Sequence, residues 1–180
     1  MTELPIVVGR SQVEPARPAE ISRVTVTQLM TPQDVNLAGN VFGGVILAAV
    51  DRIAYMSAAR HAGRLCVTVS FDEVNFHSPI LIGEVVTLRA CVNTVGRTSV
   101  EVGVRVEAES VQRENRRHTN SSYVTMVAID EEGKPVPVPR LEIRTEEEYR
   151  RYLEAEERRA TRLALAQRHQ ARRSGAPGDA

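Results

Sequence analysis

Asn36-Leu37-Ala38-Gly39-Asn40-Val41-Phe42-Gly43-Gly44 runs straight into Val45-Ile46-Leu47-Ala48-Ala49-Val50-Asp51-Arg52-Ile53-Ala54-Tyr55-Met56. Two adjacent glycines open an apolar helix that carries one carboxylate in its middle. A helix that is apolar almost all round is buried on most sides. A carboxylate there costs several kcal/mol unless it is paired or kept for chemistry, so Asp51 is expected to be sunk and functional. The first-turn N–H groups of a helix lack intrahelical acceptors, and two glycines leave them uncovered for a carbonyl oxygen or an anion. The helix is predicted over residues 43–61. Arg60 and His61 suit its C-terminal dipole, and Gly63 can take the left-handed cap.

Outward from this helix the chain reads as strands. Residues 21–30 are rich in Val and Thr. After the helix come segments 66–76, 84–95, 98–110 and 119–130, separated by Gly and Pro turns. The third alternates Val100, Val102, Val104 and Val106 with Glu101, Gly103, Arg105 and Glu107. That period of two gives one buried and one wet face, hence an antiparallel sheet, and it puts Glu101 in water. Pro135-Val136-Pro137-Val138-Pro139 is stiff and extended. Thr145 and Glu148 form a capping box for a last helix, and Glu146–Arg150, Glu147–Arg151 and Glu154–Arg158 stand four apart along it. The expected organisation is an arm over 1–19 that orders only against a partner, one domain over 20–144, a helix over 145–173 and a disordered tail over 174–180. A sheet wrapped round one helix leaves an edge and a helix end uncovered, which dimerisation remedies.

The 180 residues carry 23 basic and 23 acidic side chains, and this balance argues against a general nucleic-acid binder. The two cysteines, Cys66 and Cys91, lie in apolar strand-like stretches and read as buried reduced thiols of a cytoplasmic protein. No metal-ligand spacing occurs, and no apolar run approaches the length of a membrane span.

The order of these elements, with Gly39-Asn40-Val41-Phe42-Gly43-Gly44, Asp51, Phe76-His77-Ser78-Pro79, Gly83-Glu84 and Gly96-Arg97-Thr98-Ser99-Val100, resembles the hotdog-fold acyl-CoA thioesterases. The nearest resemblance is to bacterial acyl-CoA hydrolases related to the brain cytosolic enzyme, over about residues 20–165. It implies an α+β fold: one curved antiparallel sheet of about five strands around a long central helix, plus a C-terminal helix. It also implies hydrolysis of fatty acyl-CoA to free acid and CoA without a further cofactor. Active sites shared across a homodimer, and a trimer of dimers, follow from the same resemblance. Carried onto this chain, it pairs Asn40 with the partner's Asp51. It puts Val69, Ser70, Phe71, Thr98, Ser99 and Val100 against CoA, and gives the phosphates to Arg97, Arg158, Arg159 and Arg162. Some relatives have His before Gly-Gly; Phe42 stands here instead and leaves Asp51 as the main titratable group.

The chemistry then expected is a thioester carbonyl held on the Gly43 and Gly44 amides while Asp51 activates water. Attack by the carboxylate itself, through an anhydride, is the other route. Two further readings stay open. A hotdog hydratase-dehydratase needs a positioned His, and none lies near the Gly-Gly loop. A non-catalytic acyl-CoA sensor needs an output domain, which the first 20 residues are too short to supply.

Overall fold

The valines at 100, 102, 104 and 106 are all buried, and their strand packs against one long helix. The computed structural model describes residues 4–13, 15–72 and 74–174. In chain order the elements are β1 (Ile6–Val8), β2 (Arg17–Pro18), a 3-10 turn (Ala19–Ser22), β3 (Val24–Leu29), a second 3-10 turn (Pro32–Asp34), α1 (Gly43–Ala62), β4 (Leu65–Phe71), β5 (Glu84–Val95), β6 (Ser99–Ser110), β7 (Arg113–Ile129), β8 (Leu141–Ile143) and α2 (Glu146–Ser174).

The main sheet has the order β3-β5-β6-β7-β4, and every neighbouring pair is antiparallel. It curls around α1, whose Ile46, Val50 and Ile53 are buried with Leu88, Val102 and Met126. Each such side chain contributes about 1.5–3 kcal/mol of burial. The sequence-predicted hotdog architecture is the one observed. Two strand limits differ. The last strand starts six residues before the expected 119 and forms a hairpin with β6 through Val111 and Gln112. The first strand after α1 stops at Phe71, after a bulge between Thr68 and Ser70. Beyond it the chain still follows β7, through Asp72 N to Tyr123 O and His77 N to Thr119 O, but irregularly.

The N-terminal stretch departs from expectation. Rather than waiting for another molecule, it pairs with its own chain. Ile6 sits opposite Ile143 in an antiparallel pair, and Arg17 opposite Leu141 in a parallel one. The extended segment before β8 holds it further, since Ser11 Oγ donates to the Val138 carbonyl. Strands of two and three residues carry no readable period, so the sequence did not announce them. Residues 175–180 of the expected tail lie outside the described residues.

α1 ends on Gly63 at φ 67°, whose N–H donates to Ala59 O. The cation at this end is not His61. Arg17 reaches across and donates to the carbonyls of Arg60 and His61. The His61 ring is fully buried, and Nε2 lies 3.1 Å from Pro139 O. Burial, aided by Arg17, lowers its pKa to about 4. The unfolded chain, with His near 6.5, therefore binds a proton that the native chain refuses between these values. His61 thus removes stability as pH falls from about 6.5 toward 4, by about 3 kcal/mol in all. Unfolding midpoints in urea, measured from pH 7 to pH 4, should fall more steeply for the native sequence than for His61→Gln. Parallel curves would contradict this.

α2 begins with the predicted box: Glu148 N donates to Thr145 Oγ1, and Glu148 Oε2 accepts from Thr145 N. Glu147–Arg151 forms, but Arg150 pairs forward with Glu154 rather than back to Glu146. Arg158 turns away from Glu154 altogether, to Glu101 on the sheet beneath. Glu101 is accordingly buried, not wet: α2 covers the outer face at that row.

Candidate active site

The loop before α1 is tied by one asparagine. Asn36 Oδ1 accepts from Ala38 N and Asn40 N, and Asn36 N donates to Asn40 O. Gly39 makes the turn at φ 80°, which a Cβ would strain. The Asn36 carboxamide oxygen is thus occupied, while its Nδ2 donates to no described residue. Asn40 pairs its backbone with Leu81. It is not the helix cap; Phe42 holds that position, without a side-chain cap bond. The Phe42 ring lies where a Cβ on Gly44 would sit, and the Phe76 ring lies over Gly43. Gly44 therefore admits the Phe42 ring, and the two glycines leave the first-turn amides open.

Asp51 sits on the outward side of α1 and is half-buried, not sunk as expected. The buried stripe runs instead through Ile46, Ala49, Val50, Ile53, Ala54, Ser57 and Ala58. Thr68 of β4 donates its hydroxyl to Asp51 Oδ1 at 2.6 Å. The pair opens on a cleft of about 620 Å³ lined by Asp51, Arg52, Tyr55, Met56, Cys66, Val67, Thr68 and Met126. Burial pushes the Cys66 thiol up to about 11, so it fills space there and is no thiolate nucleophile. One Asp oxygen is held and the other remains for a water or a carbonyl carbon. Asp51 comes eight residues after Gly43 in the helix, about 12 Å along the axis. The glycine loop and Asp51 of one chain therefore stand well apart.

The residues expected at CoA divide into two groups. Val69 at the bulge and Phe71 are exposed, Ser70, Thr98 and Ser99 are half-buried, and Arg97 is exposed. Val100 is a correction: its side chain is wholly in the core, and its backbone is laddered between Val95 and Met126. Arg158 and Arg162 are also engaged. Arg158 donates to Glu101 at 2.7 Å and stacks on the Tyr123 ring at 3.5 Å. Arg162 donates to Asp72 at 2.6 Å and lies 2.9 Å from Glu101 Oε2, off hydrogen-bond alignment. Arg159 differs: no carboxylate among the described residues is within ion-pairing distance of it. It lines a cavity of about 120 Å³ with Thr94, Gly96, Ser99, Glu101, Thr125, Arg162 and Leu163. The Thr125 hydroxyl is buried there without a partner.

Among the described residues no group of three or more His, Cys, Asp or Glu could hold a metal. No described helix is long and apolar enough to cross a membrane.

Residues 38–114 match the thioesterase superfamily. The uncharacterized acyl-CoA thioester hydrolase YkhA of Bacillus subtilis is 43% identical over 127 residues, 71% of this chain and 74% of YkhA. The chain belongs to the thioesterase superfamily, among the acyl-CoA thioester hydrolases. An apo-hexameric acyl-CoA thioesterase superposes with a TM-score of 0.81 at 44% identity, over 84% of this chain and 97% of the other. The Staphylococcus aureus acyl-CoA hydrolase, solved in complex with butyryl-CoA, CoA and CoA disulfide, gives 0.77 at 33% identity, over 87% and 98%. Its alanine variants include an aspartate 15 residues after an asparagine, and a threonine 17 residues after that aspartate. The same spacing in this thioesterase-superfamily chain selects Asn36, Asp51 and Thr68. Thr68 and Asn36 were missed from sequence. A threonine in a strand reads as a β-former, and Asn36 is overshadowed by Asn40 beside the glycines.

Proposed function

We propose that this chain hydrolyses acyl-CoA thioesters, with Asp51 as the base that activates water and Thr68 as the residue that orients it. The Asp51–Thr68 hydrogen bond, open to an apolar cleft, carries the reading. In it, the carbonyl oxygen rests on the Gly43 and Gly44 amides of a second copy, and the Asn36 Nδ2 of that loop adds a donor. Asn36 takes the role first expected of Asn40, on its spacing and its free amide. The separation along α1 supports a shared site, because one chain does not bring its glycine loop to its own Asp51. β4 is an edge strand, and exposed Leu65, Val67 and Val69 along it favour pairing with another copy. Three such dimers would make a hexamer.

CoA is substrate and product, and no cofactor enters the scheme. Its pantetheine arm is assigned to Val69, Ser70, Phe71, Thr98 and Ser99, and its phosphates to Arg159 first, with Arg97 beside it. Arginine suits phosphate through its forked donors. Arg158 and Arg162 hold α2 in place in this scheme. Two free, buried cysteines fit a reducing cytoplasm.

Purified protein should release free thiol from acyl-CoA, read with a chromogenic thiol reagent. Asn36→Ala should lower kcat about 10²–10³-fold as a lost oxyanion donor, and Asn40→Ala far less. The reverse order restores Asn40 to the role. No thiol release from any acyl-CoA rejects the enzyme reading.

A further inference from the structure

The cleft beside Asp51 has a direction. Asp51 and Thr68 stand at one end, linked to each other. Tyr55 and Met56 lie one turn further along α1, and Cys66 lies two residues back along β4. Four to five helical residues at 1.5 Å and two strand residues at 3.3 Å both give about 7 Å between the two levels. Helix and strand therefore measure the same slot independently. Its floor is Met126, which is buried opposite Thr68 on the neighbouring strand β7, and Cys66 at the far level is buried as well. Beyond that level α1 and β4 converge on the turn at Gly63 and Arg64.

From this geometry, and resting on the proposed hydrolysis, we infer that the slot receives the acyl chain over Met126 and that Met56 and Cys66 form its end wall. Such a wall selects short to medium chains. Two residues of extended polypeptide contain six backbone bonds, so a slot of that span holds roughly six carbons beyond the carbonyl. A chain that fills it gains about fourfold in kcat/KM per methylene, the equivalent of about 0.8 kcal/mol, until the wall is met. Longer chains must leave the slot or bend, and gain nothing more. Met56 is unbranched and adaptable, which suits a wall that closes on chain ends of differing length.

The test is a kcat/KM profile over straight-chain acyl-CoA substrates from C2 to C16 for the full chain. The native profile should rise to about C6–C8 and then flatten or fall. Met56→Ala, at a partly exposed position, should move the break at least two carbons longer. Cys66→Met should move it shorter, and Met56→Phe does the same should the Cys66 variant not fold. A native profile climbing steadily to C16, or one unmoved by Met56→Ala and Met56→Phe, overturns the end wall while leaving hydrolysis intact. Absence of hydrolysis at every length instead removes the proposed function beneath it.

Discussion

Asp51→Asn is expected to lower acyl-CoA turnover by about 10²–10⁴-fold, the usual contribution of a general base. Asparagine keeps the shape of the side chain and an oxygen that can still accept from Thr68, so the fold should survive. What it loses is the second carboxylate oxygen, the one Thr68 leaves unengaged beside the cleft. The loss should fall on kcat and kcat/KM alike, with KM little changed, because base catalysis is realised in the transition state. Thr68→Val supplies the companion measurement. It leaves the carboxylate but frees it to rotate, so a smaller fall in kcat is expected, partly recovered by Thr68→Ser. A folded Asp51→Asn protein that still releases thiol at the native rate rejects Asp51 as the base and, with it, the reading of this cleft as the reacting end.

The elements that sequence made legible are those with a period. β6 alternates over eight residues and α1 is closed by a glycine that must be left-handed, so both are local properties of the chain. The three short strands β1, β2 and β8 form because two distant extended segments find each other, and nothing in either announces its mate. The site divides the same way. Asp51 is conspicuous because a charge interrupts an apolar run. Thr68 gains meaning only when the chain turns at Gly63 and brings β4 back along α1. The misplacement of Glu101 has the same origin: alternation assigns it correctly to the outer face, but only α2, 57 residues later, decides that this face is dry.

That buried carboxylate yields the second large effect. Glu101 is almost fully enclosed, with Arg158 donating to one oxygen and Arg162 close to the other. Both guanidiniums reach toward Asp72 as well, so a single cluster fastens the middle of α2 to β6 and to the end of β4. Breaking a buried pair from one side typically costs 3–5 kcal/mol, since the remaining charge stays desolvated. Here the arginines keep Asp72 and some solvent, so Glu101→Ala should cost about 3 kcal/mol, near the low end of that range. At this chain length that is roughly 6–12 °C in Tm. Replacing both sides, Glu101→Val with Arg158→Leu, leaves no unpaired charge between them and should recover most of the loss. Calorimetric melting of the single and double variants decides between two accounts of α2. If Glu101→Ala melts within about 1 °C of the native protein, the cluster is an incidental surface network. A large loss that the double variant reverses makes it the latch that sets Arg159 against Gly96, and every phosphate contact proposed for α2 then depends on a residue that touches no substrate.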